Sequence, residues 1–225
     1  MPARPVVPQS CRNHRRGPEG RSRRIVSLPD RSYLIGSREE LLYARGDLIG
    51  NPALGIVDAL RPIADRLPPV DGDAVVVHHL EVYGGRVTAA SKHYTGSRAV
   101  GARLFDVLVL SDYAELLEWP AERISRWRES AGQPFVAEAE LLARAEAAGL
   151  STVPRLDVLE AAELPTDLEK IHRPLGDYLP ATTVALDGTP GRAEGIVLRT
   201  ETRSVIAKAR FQDNERTLKR RRTGR

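Results

Sequence analysis

Two short segments late in the chain, residues 194–199 (EGIVLR) and 206–211 (IAKARF), carry residue types that handle phosphate. On a strand, Glu194, Ile196 and Leu198 would share one face, with Gly195, Val197 and Arg199 on the other. In the second segment Lys208 and Arg210 share a face, and Ala207, Ala209 and Phe211 lie opposite. Paired as a hairpin, the two segments would bring the acid of one strand near the two cations of the next. Glu194 could then hold a metal while Lys208 and Arg210 meet phosphate oxygens. Gly195 admits the close approach of a ligand or another backbone. The same spacing also suits cross-strand charge pairing on a solvated face, and spacing alone leaves both open.

Several elements would have to position these residues. Residues 25–28, a Pro29-Asp30 turn and residues 32–36 predict a β-hairpin. Asn51-Pro52 predicts the start of a helix running to about Leu67, bent at Pro62. Residues 74–82 form a β-branched strand, Gly84-Gly85 turns the chain, and residues 86–90 return as a second arm. Residues 103–110 (RLFDVLVL) are apolar enough for a strand buried on both faces. Helices are expected over 120–130 and 136–148, the latter closed by Gly149. A short strand over 154–159, a helix over 166–178, the 194–211 hairpin and a terminal helix over 213–222 complete the pattern. Strand pairs with inserted helices make an α+β fold. No GxGxxG or GxxxxGK[ST] occurs.

The composition is that of an ordinary folded chain, 41% hydrophobic and 28% charged over 225 residues. The net charge of +4 is concentrated at the ends. Residues 1–24 hold seven arginines against Glu19, and residues 215–225 hold five arginines and one lysine against Glu215, so the body between them is acidic. The basic pI therefore does not by itself argue for nucleic acid. Residues 1–23, rich in Arg and Pro and without periodicity, are expected to be disordered; residues 24–212 would form the domain and 213–225 a basic helix or tail. Cys11 is the single cysteine, which excludes an intrachain disulfide and suits a reducing cytosol. Neither a membrane span nor a secretory signal is expected.

EGIVLR followed by a Lys-x-[Lys/Arg] strand resembles the fourth and fifth motifs of the covalent nucleotidyltransferases, which comprise the ATP-dependent RNA and DNA ligases and the capping enzymes. Other stretches agree in order. GSREE with Arg38 resembles the early Ser-Arg motif. LEVYGG with Glu81 resembles the strand glutamate before a glycine turn, and SKHYTG after it looks like the RNA ligase version. RLFDVLVL resembles the aromatic-Asp motif through Phe105 and Asp106. The closest likeness is to the RNA ligase domain family, over about residues 24–211.

That resemblance implies a ligase domain of antiparallel sheets with flanking helices, ATP as AMP donor, Mg²⁺ or Mn²⁺, and RNA 5′-phosphate and 3′-hydroxyl ends as partners. It implies that Glu81 binds ribose or orients the lysine, that Phe105 stacks on adenine, and that Glu194 acts on metal or nucleotide. Lys208 would meet the α-phosphate, with Arg210 as second cation. Arg38 would touch ribose or the accepting phosphate, Arg24 would be the arginine after the lysine motif, and Lys92 would contact RNA or phosphate. A capping-type enzyme is disfavoured, because no room follows Lys208 for an oligonucleotide-binding barrel.

One motif departs. The family's nucleophile stands in Lys-x-Asp-Gly ahead of the strand near Arg24, and here Gly17-Pro18-Glu19-Gly20 occupies that place, with Gly17 at the lysine position. The earliest lysine is Lys92. Either residues 1–23 reflect a shifted frame or start, or the domain has lost its first motif; in both cases no lysyl-AMP is expected from the chain as written. Among smaller signals, His78 and His79 should face opposite sides of a strand and play structural roles. His93 could be surface or RNA-facing, Trp127 should pack in the core, and Lys219–Arg222 should be a solvated basic end.

Overall fold

The β-branched run predicted over residues 74–82 becomes the inner strand β5 (Val75–Gly84) of a six-stranded sheet. The computed structural model describes residues 21–37, 39–50, 54–165, 167, 170, 182–188, 191–201 and 203–223. Strands β1 (Arg21–Ser27), β2 (Tyr33–Gly36), β3 (Leu41–Ala44), β4 (Asp47–Leu48) and β6 (Val100–Leu110) complete the sheet in the order β4-β3-β2-β1-β5-β6. Every neighbouring pair is antiparallel. The first hairpin forms as expected. Asp30 makes its turn by accepting hydrogen bonds from the Ser32 amide (2.9 Å) and hydroxyl (2.5 Å), the local bonding that favours Asp in turns.

One sheet face carries the core. Ile25, Val76, Leu80, Val82, Leu104 and Val107 pack with Ile56, Val57 and Leu60 of α1 (Ile56–Ala64) and with Leu141 and Ala145 of α4 (Glu138–Ala147). Between β6 and α4 lie α2 (Tyr113–Leu117) and α3 (Ala121–Glu129). A second, two-stranded sheet pairs β7 (Gly195–Arg199) with β8 (Ile206–Arg210), and α5 (Phe211–Arg222) follows directly. Basic residues Lys219–Arg222 fill the last turn of α5, where the helix dipole favours them.

Five expectations change. Residues 21–23, expected to be disordered with the rest of 1–23, begin β1, where pairing with Val82, Glu81 and Leu80 satisfies their backbone and buries Arg23. The helix expected from Asn51 begins at Ile56, after Gly55 at φ 68°, and ends at Ala64; residues 51–53 lie outside the described region. Residues 86–90 do not return as a strand. Ala89–His93 is a 3-10 turn instead, and β5 pairs with β1 and β6, whose long apolar runs satisfy more ladder bonds than a five-residue arm could. Residues 154–159 are not a strand: only Thr152 bridges to Leu104, after which Pro154 lacks a donor and Val158 stands 96% exposed. Trp127 is not in the core. No residue of α3 is buried; Trp127 meets Trp119 edge-on at 6.2 Å, and a Cβ on Gly132 would stand 2.3 Å from its ring. Of the helix expected over 166–178, only Asp167 and Lys170 are described.

Leu104 is fully buried where β6 meets α1 and α4. Leu104→Ala is expected to lower unfolding stability by about 2–5 kcal/mol, read from urea denaturation.

Candidate active site

The sheet face opposite the core bears the polar residues. Register pairs Ser22 with Glu81, Arg24 with His79, His79 with Asp106 and Glu81 with Arg103, so Arg24, Glu81, His79, Arg103 and Asp106 share this face. A β-bulge in β6 adds Phe105 to it, since His79 pairs with Asp106 and Leu80 with Leu104, leaving Phe105 unmatched. Uninterrupted alternation would send Phe105 and Asp106 to opposite faces. The bulge instead sets the Phe105 ring 5.9 Å from that of His79, while Asp106 remains on the same face.

The β7–β8 hairpin is tied to this face by charge. Arg199 Nη1 donates to Asp106 Oδ1 at 2.5 Å and to the Phe105 carbonyl at 3.0 Å, and its Nη2 donates to Glu138 at 2.8 Å. Arg203, in the hairpin turn, donates from Nε to the same Asp106 oxygen at 2.7 Å. Arg155 holds Glu138 from the other side at 2.5 and 3.3 Å. Burial pushes the Glu138 carboxyl up, but the hydrogen bond and charge of Arg155, with Arg199 and Arg203, outweigh this and hold it below its usual range. The Asp106 side chain is 7% exposed and that of Arg203 only 2%, so these charges are offset by each other rather than by water.

Within the hairpin, Val197 pairs with Lys208 and Gly195 with Arg210. Lys208 therefore projects from the same face of the hairpin as Arg199 and is itself exposed. Arg210 shares that face and pairs with Asp213 at 2.6 Å. Gly195 does admit a close backbone, and that backbone is the partner strand: a Cβ there would stand 2.2 Å from the Ala209 carbonyl oxygen, at φ 153°. Ala193 and Phe211 are buried together against Ile196 and Ala209. Strict alternation would put 193 and 196 on opposite faces, so the irregular step at Gly195 interrupts it immediately beside Glu194.

Glu194 precedes β7 and accepts a hydrogen bond from the Tyr94 hydroxyl at 3.1 Å. Burial and the charges of Glu194 and Glu81 raise the Tyr94 phenol well above its usual range, so it remains a donor. The expected residues Arg24, Glu81 and Phe105 are thus gathered on one face of the main sheet, with Glu194 joined to the Glu81 strand through Tyr94 and Tyr83, and Lys208 and Arg210 on the hairpin. Lys92 stands apart, exposed on the Ala89–His93 turn. Arg38 and Gly17 lie outside the described residues. Tyr94, Arg203, Glu138 and the structural use of Asp106 and Arg199 were not foreseen. Asp106 and Arg199 sit inside recognised motifs, but their pairing spans 93 residues, which no local spacing reveals.

This arrangement fits one family, whose model, described as RNA ligase, matches residues 19–219. The chain belongs to the RNA ligase family. Two solved structures of Naegleria gruberi RNA ligase share the fold. An alanine mutant in its apo form is 16% identical with a TM-score of 0.55, over 91% of this chain and 50% of that one. Another alanine mutant, with ATP and Mn, is 15% identical with a TM-score of 0.55, over 90% and 49%. The chain spans about half the length of these ligases. No curated protein matches it in sequence. No helix among the described residues is long and apolar enough to cross a membrane.

Two predictions follow from this geometry. Asp106→Asn leaves two guanidinium groups without their shared carboxylate. It should destabilise hairpin docking by about 3–5 kcal/mol, seen as faster hydrogen exchange over residues 195–210; unchanged exchange there would remove Asp106 as the clamp. His78 and His79 do face opposite sides, and burial depresses both imidazoles to about 4, with the Arg144 charge helping at His78 and that of Arg24 at His79. The unfolded chain binds these protons near 6.5 and the folded chain only near 4, so stability should fall as pH drops through that window. Urea midpoints at pH 7 and pH 5 measure this, and His78→Gln with His79→Gln should flatten the difference.

Proposed function

We propose that this chain is an adenylate- and RNA-end-binding RNA ligase domain, whose intact form joins RNA ends with ATP through lysyl-AMP and RNA-adenylate. This reading is supported by the hairpin that carries Lys208, which Arg199 ties through Asp106 to the sheet bearing Arg24, Glu81 and Phe105. In the full reaction a lysine amine attacks the α-phosphate of ATP and pyrophosphate leaves. AMP then passes to a 5′-phosphate, and a 3′-hydroxyl displaces it to seal the strand. Phe105 would stack on adenine, with Glu81 at the ribose. Lys208, with Arg210 as second cation, would offset charge gathering on the α-phosphate oxygens. Arg24 and Arg38 would meet ribose or phosphate, and Lys92 the RNA.

A divalent ion fits these donors. Among the described residues no group of three or more His, Cys, Asp and Glu could hold a metal alone, and Mg²⁺ in nucleotide sites characteristically uses one or two carboxylates plus phosphates. Glu194 would be its protein ligand, and Mg²⁺ or Mn²⁺ would neutralise phosphate charge. The single cysteine supports a cytoplasmic setting. We take the domain to begin with β1 at Arg21, with α5 as its basic end.

A second reading rests on a specific absence. Residues 1–91 contain no lysine, so no side chain near the first motif offers the amine. The chain as written is then a binding module without transfer. Incubation with Mg²⁺ and α-labelled ATP should give no alkali-stable label that acid or hydroxylamine releases, and such label should appear once Lys-x-Asp-Gly is restored ahead of β1. Label on the unaltered chain would refute the missing nucleophile. ATP binding should be lost in Lys208→Ala and in Glu194→Ala; binding unchanged in both would remove the site assignment.

A further inference from the structure

Tyr94 is held at three points. Its ring meets Tyr83 edge-on at 5.1 Å. Its backbone carbonyl accepts the Leu186 amide at 2.7 Å. Its hydroxyl donates to Glu194 Oε1 at 3.1 Å, across 100 residues of sequence. Tyr83 is in turn fixed on the cleft face, where its hydroxyl accepts from Arg103 Nε at 3.1 Å, and Arg103 is anchored on the Thr152 carbonyl at 2.9 Å. A chain of rigid contacts therefore runs from the strand of Glu81 to the carboxylate of Glu194. A glutamate side chain has three rotatable bonds, and a single well-held donor at one oxygen selects among its orientations.

We propose that Tyr94 is a positioning residue for Glu194, fixing the plane of its carboxylate in the orientation that meets the divalent ion accompanying a bound nucleotide. This rests on the nucleotide-binding role proposed above. The phenol is suited to the task because it is a neutral donor that does not exchange its proton for charge in the working pH range, and it leaves the carboxylate ionised for the metal. Partners that orient a metal-binding carboxylate in this way typically change metal affinity by about 10–100-fold when removed.

The test is a titration of ATP binding with Mn²⁺, comparing the unaltered chain with Tyr94→Phe, which keeps the ring on Tyr83 and removes only the hydroxyl. The Mn²⁺ midpoint should rise about tenfold, with metal-free ATP binding unchanged and the near-ultraviolet dichroism preserved. Should Tyr94→Phe not fold, Tyr94→Trp refills the space with its donor displaced and carries the same comparison. An unshifted midpoint in a folded variant, with normal ATP binding in the unaltered chain, overturns the positioning role alone. Failure of the unaltered chain to bind ATP at any Mn²⁺ concentration overturns the proposed function as well.

Discussion

The placement of the second sheet turns on one carboxylate. Asp106 accepts from both Arg199 and Arg203, and these bonds are the side-chain tether between the main sheet and the β7–β8 hairpin. A two-stranded sheet of five-residue strands is marginal by itself, and its own apolar cluster is small: Ala193, Phe211, Ile196 and Ala209. Orientation must therefore come from outside. The guanidinium of Arg199 bonds the Asp106 side chain and the Phe105 carbonyl together, which sets the hairpin's angle as well as its distance. Arg203 reaches Asp106 from a turn in which its own backbone takes φ 57°, a conformation that an arginine holds only when its surroundings require it.

Two local irregularities convert regular strands into a site. The bulge at Phe105 lets an aromatic ring and the following aspartate serve the same face. At Gly195, backbone crowding against Ala209 and Arg210 allows no side chain, and the altered step falls next to Glu194. In both places an unbroken pleat would point one of the needed groups into the wrong half of the molecule. In this chain the glycine of EGIVLR makes room for its partner strand, and the Asp after Phe105 holds the hairpin.

Much of the fold was legible because it is local. The β1–β2 hairpin, the helices around 121–129 and 138–147, the β7–β8 hairpin and the terminal helix each announce themselves through period, turn residues or caps. Errors arose where partner choice mattered. Residues 86–90 and 154–159 have strand-like composition, but a strand exists only if a neighbouring edge is available, and the edges of β5 are taken by β1 and β6. Trp127 sits on an apolar spacing but is half-buried against Trp119 and Gly132 rather than in the core, because α3 packs no residue there.

By itself the sequence determined the family and the α+β class, since residue types in a fixed order survive without coordinates. It also determined that no lysine precedes Lys92. Only the tertiary structure decided that Glu194 answers to Tyr94, that Arg210 is paired with Asp213, and that Asp106 joins the two sheets. The physical reason is distance along the chain. Periodicity reports which side of an element a residue occupies, whereas these pairings, except the adjacent Arg210–Asp213, join groups about a hundred positions apart and arise only when the hairpin docks on the main sheet.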